Sequence, residues 1–236
     1  MIKLIDFSDQ ISLKKKNIIK NIDRVLTHGR FIMGPEIYEI ENKLKKFVDT
    51  KYCSTVSSGT EALLISLMAI GLKKGDEVIV PGFTYIAPVE VVVRMGAKPI
   101  LIDVNQEDAN IDISLIEKKI TKKTKSIIFV NLFGNICDIL KLKKLKNKYP
   151  SIIFIEDAAQ SFGSKYKNYK SCNTLDISCT SFFPAKPLGC FGDGGAIFTN
   201  KLDIYKKVVS IREHGQSEKY NHSSVGVGGR FDTLQA

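Results

Sequence analysis

Cysteine is scarce in this 236-residue chain, and its placement is uninformative for pairing. Cys53, Cys137, Cys172, Cys179 and Cys190 are odd in number and form no C-x-x-C pair, which argues against a disulfide framework and against a zinc site of the usual ligand spacing. Free thiols of this kind fit a reducing cytoplasm. Histidine is scarcer: His28, His214 and His222 are too dispersed for a metal centre, and His214 is expected to cap the carboxyl end of a helix over 201–213, where a positive ring suits the helix dipole. No apolar run reaches the ~20 residues of a membrane span before charge, Gly or Pro interrupts it. The opening MIKLIDFSDQ places Asp6 and Asp9 where a secretory leader would be apolar, so none is expected. The patterns G-x-x-x-x-G-K-[ST], G-x-S-x-G and H-E-x-x-H are all missing, which leaves P-loop, α/β-hydrolase and zincin chemistry without an anchor.

Acidic residues are in deficit. Asp plus Glu number 25 against 35 Lys plus Arg, a net charge of +10, which raises the question of nucleic acid. The excess lies in short lysine runs, Lys14 to Lys16, Lys122-Lys123 and Lys141 to Lys148, without arginine-rich or aromatic-interleaved patterning. In the last run Ile139, Leu142, Leu145 and Tyr149 recur at helical spacing, so the lysines between them are expected to face water. Neither nucleic acid nor membrane is an expected partner.

What is present is alternation. Apolar, β-branched runs predict strands over 77–80, 98–104, 126–130, 152–156, 176–183 and 196–199, and helical patterns fall between them at 60–70, 88–95, 114–120 with Ser114 as N-cap, 138–149 and 201–213. Strand and helix alternate from about residue 55 to 200, the pattern of an α/β fold with a mainly parallel sheet covered by helices on both faces. Residues 1–50 differ: helices over 14–26 and up to about Val48 flank a loop, His28 to Pro35, and read as an arm packed on the domain formed by 51–236. In such sheets ligands bind beyond the carboxyl ends of the strands.

Three features stand at strand ends. Ser57-Ser58-Gly59-Thr60 opens an apolar helix, whose unpaired N–H groups suit an anion such as phosphate, although Ser-Gly-Thr is also an ordinary N-cap. The strand at 152–156 runs into Glu156-Asp157-Ala158-Ala159-Gln160; the two carboxylates point to opposite faces, so one can meet a ligand while the other pairs structurally. Lys186 sits between Pro184 and Pro187 after another strand, and a constrained, partly desolvated lysine can act as a nucleophile; a lone lysine in a turn is otherwise a surface residue. Together they are what pyridoxal 5′-phosphate requires: an anion hole, an acid for the pyridine nitrogen and an amine for the Schiff base.

Ser181-Phe182-Phe183-Pro184-Ala185-Lys186-Pro187-Leu188-Gly189, Gly192-Asp193-Gly194-Gly195-Ala196, the Glu156–Gln160 run, Pro81-Gly82-Phe83-Thr84-Tyr85 and Arg230-Phe231-Asp232-Thr233-Leu234-Gln235-Ala236 resemble the DegT/DnrJ/EryC1/StrS sugar-nucleotide aminotransferases from about Ile5 to the last residue. Gly82 to Tyr85, Ser171-Cys172-Asn173 and Cys179 to Pro184 are most similar to the branch that aminates UDP-2-acetamido-2-deoxy-3-oxo-glucuronic acid for surface polysaccharide such as lipopolysaccharide O-antigen.

The resemblance implies the large domain of a fold type I pyridoxal phosphate transferase, in which glutamate is the donor and a UDP-linked keto sugar the acceptor. Lys186 would carry the cofactor and shuttle the proton between donor Cα and cofactor C4′. Asp157 would keep the pyridine nitrogen protonated, Gln160 would contact the O3′ side and Tyr85 would stack on the ring. Gly59, Thr60 and Ser181 would bind phosphate. Gly29, Phe31, Ala185 and Arg230 match positions that touch the nucleotide sugar, with Arg230 reaching the neighbouring site of a homodimer. Gly228 stands where many relatives have an Asn that reaches the partner's phosphate, and relatives continue past Ala236 into a smaller carboxyl-terminal domain, so a fragment or truncated product is expected here. Three alternatives remain open: a 4-keto sugar nucleotide aminotransferase; a dehydratase of the family, disfavoured because those enzymes carry His in place of Lys186; and a non-catalytic cofactor-binding remnant.

Overall fold

The computed structural model describes residues 5–236; residues 1–4, which open the stretch where no leader is expected, lie outside it. Two helices lead, α1 (Ser8–His28) and α2 (Pro35–Val48). There follow β1 (Tyr52–Val56), α3 (Gly59–Ala69), β2 (Glu77–Pro81), α4 (Ala87–Arg94), β3 (Lys98–Ile102), α5 (Ile113–Lys119), β4 (Thr124–Val130), α6 (Ile139–Lys148) and β5 (Ile153–Asp157). A short hairpin, β6 (Lys165–Tyr166) and β7 (Tyr169–Lys170), precedes β8 (Ile177–Ser181), β9 (Gly195–Thr199) and α7 (Leu202–Arg212), and β10 (Gln216–Glu218) with β11 (Asn221–His222) forms a second hairpin.

Seven strands make one sheet in the order β1-β9-β8-β5-β4-β2-β3. Pairings from β3 through β8 are parallel, while β9 runs antiparallel to both β8 and β1. The period-two alternation of side chains explains why both faces are covered. Val78, Val80, Ile128 and Ile155 join the core under α3, α4 and α7, whereas Ile79, Ile127, Phe129 and Phe154 join the core under α5 and α6. Helix α3 is apolar all round and buried nearly throughout, as a helix sandwiched inside a domain must be. The α/β class with a mainly parallel, doubly covered sheet is thus as expected from the sequence.

Several local expectations are corrected. Strand β1 was not predicted, because Tyr52-Cys-Ser-Thr-Val56 carries two polar residues in its middle and is buried by its neighbours rather than by its own hydrophobicity. Asp112, not Ser114, caps α5: its Oδ1 accepts the Ser114 N–H at 2.9 Å and the Ser114 hydroxyl at 2.6 Å. In α6 the apolar stripe Ile139, Leu142 and Leu145 is buried as predicted, yet Lys146 turns away from water, donating to the Ile152 carbonyl at 2.6 Å and pairing with the buried Asp176 at 2.9 Å. His214 does not cap α7. Glu213 holds the cap position, and His214 takes a left-handed φ of 62°, accepting the His222 ring nitrogen at its carbonyl. Among the described residues no helix is long and apolar enough to cross a membrane, and no cluster of metal-ligating side chains forms.

The leading helices join the sheet through apolar packing of Ile37, Leu44 and Val48 against Cys53, Phe198 and Phe231, and through one buried ion pair. Arg212, 2% exposed, donates to Glu41 Oε1 at 2.7 Å and to the Thr55 carbonyl at 3.0 Å, while the same Glu41 oxygen accepts the Thr55 N–H at 2.8 Å and its hydroxyl at 2.9 Å. Removing one partner leaves the other charge desolvated, so Arg212→Met should cost about 3–5 kcal/mol in urea denaturation, and Glu41→Leu in the same chain should recover most of it.

Candidate active site

A cleft of about 430 Å³ opens where β4, β5 and β8 end and α3 begins. It gathers Gly59, Thr60, Tyr85, Asp157, Gln160, Ser181 and Lys186, seven residues from five separate stretches of chain, all predicted from the sequence. The strand ends place them there because parallel neighbours in register finish at one level: Val130 pairs with Asp157, and Asp157 with Cys179.

The amino end of α3 forms one wall. Ser58 is its N-cap, with its hydroxyl accepting the Glu61 N–H at 3.0 Å, and the N–H groups of Gly59 and Thr60 have no acceptor within the helix. Gly59 is required by contact: a Cβ there would stand 2.7 Å from the Ser181 Cβ and 3.2 Å from its Oγ. The Ser181 hydroxyl in turn accepts the Phe183 N–H at 3.2 Å. N–H groups at the positive end of a helix dipole and a serine hydroxyl thus converge on one small space, which suits an anion.

The opposite wall is acidic. Asp157 is 7% exposed; its Oδ1 accepts the Ala159 N–H at 3.0 Å, and among the described residues its other oxygen receives no hydrogen bond. Burial pushes this carboxyl up to about 6; the Ala159 N–H and the Lys186 ammonium pull it down, and Glu156 adds to the rise. Glu156 faces away from the cleft, fully buried among donors, so the two neighbouring carboxylates divide as the strand alternation predicts. Gln160 is oriented by the backbone. Its Oε1 accepts the Phe133 N–H at 2.7 Å, and because an N–H can only donate, the amide NH2 is the end left over for other partners. Phe133 holds a left-handed φ of 55° in that turn.

Lys186 is half-buried, its N–H bonded to the Phe183 carbonyl at 2.8 Å in the turn between the two prolines. Tyr85 is 71% exposed. Gly29, Phe31, Ala185 and Arg230 do not line this cleft. Phe31 and Arg230 lie instead on segments that grip each other: the Thr233 N–H donates to the Phe31 carbonyl at 3.0 Å, and its hydroxyl accepts the Gly34 N–H at 3.0 Å. Cys179, Asp193 and Thr84 line the cleft although their motifs were quoted without a site role for them; Cys179 was findable, since it lies two residues before Ser181 on one strand and shares its face.

A doubly covered, mainly parallel sheet whose strand ends meet a helix amino terminus, a buried acid and a lysine is the layout of the fold type I cofactor enzymes. The chain belongs to the DegT/DnrJ/EryC1/StrS aminotransferase family, whose model matches residues 12–236. It is 50% identical over its full length to the UDP-2-acetamido-2-deoxy-3-oxo-D-glucuronate aminotransferase of Pseudomonas aeruginosa, spanning 66% of that protein. The crystal structure of a family aminotransferase from Brucella abortus superposes with a TM-score of 0.94 at 34% identity, covering all of this chain and 65% of that one. A Bacillus subtilis structure, NtdA with the cofactor PMP bound, gives 0.90 at 32% identity, covering all of this chain and 55% of that one.

Because the folded chain raises the Asp157 carboxyl above its ordinary value of 3.8, it binds a proton between about pH 6 and pH 4 that the unfolded chain lacks. Stability therefore rises as pH falls through that window and declines as pH rises. Asp157→Asn should stabilise the ligand-free chain near pH 7 by about 1–3 kcal/mol and flatten this dependence, as read by thermal denaturation at a series of pH values.

Proposed function

We propose that the chain is the cofactor-binding, catalytic part of a pyridoxal 5′-phosphate-dependent aminotransferase that moves the amino group of glutamate onto a keto sugar nucleotide. The acceptor is of the UDP-2-acetamido-2-deoxy-3-oxo-glucuronic acid kind named for the Pseudomonas aeruginosa relative. The observation that carries this reading is the meeting of Lys186, Asp157 and the α3 amino terminus in one cleft.

The cleft fits the cofactor part by part. Gly59, Thr60 and Ser181 offer the phosphate N–H and hydroxyl donors in a cradle that a single Cβ would fill. Asp157 has an oxygen to spare for a ring N–H, Gln160 directs its NH2 toward an acceptor, and the exposed Tyr85 ring is available to stack. Bound there, pyridoxal phosphate supplies an aldehyde that condenses with primary amines and a ring that accepts the electron pair left at a carbon losing its proton. Lys186 Nζ would be the amine that holds the aldehyde and the base that takes the α-proton of the bound donor. Asp157, ionised near neutral pH, would hold the proton on the ring nitrogen. Ala159, small and next to this acid, leaves room for the ring.

The substrate residues support a homodimer. Phe31 and Arg230 lie on the linked 29–34 and 230–233 segments, outside the cleft of their own subunit, and Phe83, Phe133, Phe183 and Phe191 are exposed on stretches that border it. An apolar rim of this kind calls for a covering partner. A second copy covering that rim would bring Gly29, Phe31 and Arg230 to its neighbour's cofactor, with residues 1–50 as the arm that carries the first two and 51–236 holding the cofactor.

Mixed with pyridoxal phosphate, the protein should show an absorbance band at about 420 nm that borohydride bleaches. Lys186→Ala should lack the band, and glutamate should convert it to the pyridoxamine form in the wild type. Amination of a 4-keto but not a 3-keto UDP-sugar would refute the proposed acceptor and leave the cofactor chemistry standing; absence of the band would refute both.

A further inference from the structure

Glu156 touches nothing in the cleft, yet it is the most heavily hydrogen-bonded side chain near it. Its Oε1 accepts from Asn131 Nδ2 at 2.6 Å, the Ser171 hydroxyl at 3.0 Å and the Cys172 N–H at 3.2 Å; its Oε2 accepts from Thr174 at 2.7 Å and Ser178 at 2.6 Å. The donors come from the end of β4, from the 171–174 connection and from β8, so one carboxylate ties three segments to β5. Asn131 grips twice. Its side chain binds Glu156, its backbone N–H donates to the Asp157 carbonyl at 3.0 Å, and its own Oδ1 is fixed by the Cys137 N–H at 3.0 Å. On the far side the Ala158 N–H reaches the Cys179 carbonyl at 2.7 Å and the Thr180 hydroxyl reaches the Ala158 carbonyl at 3.1 Å.

The Asp157 side chain, by contrast, has the Ala159 N–H as its one donor among the described residues. A carboxylate held by a single bond owes its placement to its backbone, and that backbone is clamped by the Glu156 network. We propose that Glu156 is a positioning residue for Asp157: its five-donor anchor on one face of β5 fixes the acid on the other face, and with it the protonation of a ring nitrogen bound there. The inference rests on the cofactor reading above. Burial pushes both carboxyls up, Glu156 against the pull of its hydroxyl and N–H donors and Asp157 against that of the Ala159 N–H and the Lys186 ammonium.

The donor chemistry supplies a clean test. Asn131 Nδ2 and the Cys172 N–H can only donate, whereas the Thr174 and Ser178 hydroxyls can turn and accept. Glu156→Gln can therefore keep the whole network, with its amide oxygen at the Oε1 position and its NH2 facing the two hydroxyls; Glu156→Ala removes it. The measurements are pyridoxal phosphate affinity and the pH midpoint of the band at about 420 nm, with thermal stability alongside. Glu156→Ala should weaken affinity by about tenfold or more and raise the midpoint, because a ring nitrogen without its acid loses its proton and the lysine-linked nitrogen then holds its own more tightly. Glu156→Gln should stay within about threefold of wild-type affinity with an unmoved midpoint. A Glu156→Ala protein that is less stable but keeps the wild-type midpoint and affinity would overturn the proposal, as would a Glu156→Gln protein as impaired as the alanine variant. Should Glu156→Ala fail to accumulate, Thr174→Val combined with Ser178→Ala strips both donors from Oε2 and is read the same way. A wild-type protein without the band removes the cofactor reading, and this inference with it.

Discussion

The side-chain alternation of β5 is the constraint on which the rest depends. A strand buried on both faces by α3 on one side and by α6 and the 171–174 connection on the other can end in two successive carboxylates only if each finds a separate solution to desolvation. Glu156 finds it in five donors from its own protein. Asp157 finds one, and the shortfall raises its carboxyl to about 6. That unmet demand leaves one member of the pair with an oxygen to spare in the cleft and the other fully engaged by its own protein. Under the proposed cofactor reading, stability and activity pull in opposite directions at Asp157, a residue that costs the empty fold something and would repay it when a protonated ring nitrogen arrives.

Much of this was legible in the sequence, for identifiable reasons. Apolar runs bounded by Gly and Pro marked the sheet from β2 to β9, because strands covered on both faces need little but hydrophobicity to declare themselves. The split between Glu156 and Asp157 followed from period two alone. Lys186 between its prolines and the Ser-Gly-Thr opening of α3 were visible as local chemistry. What escaped had non-local causes. Strand β1 is half polar and owes its burial to β9, some 140 residues downstream on the counting of their paired residues. Lys146 left its solvent-facing stripe because Asp176, at the start of β8, lies buried beneath it. The cap of α5 moved by two residues because Asp112, two positions upstream, presents a charged carboxylate that accepts both the Ser114 N–H and the Ser114 hydroxyl. The donors around Glu156 belong to stretches with no motif of their own; only the folded geometry collects them.

The placement of Phe31 and Arg230 carries a related lesson. A motif match puts residues in one functional group without saying whose cleft they serve. Here the two residues lie on segments joined by the Thr233 bonds to Phe31 and Gly34, outside the cleft that Lys186 lines. Gly34 is confined by that union, since a Cβ on it would stand 2.6 Å from the Thr233 methyl and 2.5 Å from the Arg30 carbonyl oxygen.

Strand β9 has its own consequence. It fills the gap between β1 and β8, so the earliest strand of the sheet has no hydrogen-bonded neighbour until residues 195–199 exist. The Gly34–Thr233 bond spans 199 positions. On a ribosome, the opening helices and β1 must therefore wait for residues 195–233 to emerge before they can finish docking, while β2 through β5 can already pair among themselves. Loop closure over such distances slows folding and leaves apolar surface uncovered meanwhile. Nascent chains of this protein should need chaperone protection at their amino ends more than at their centres.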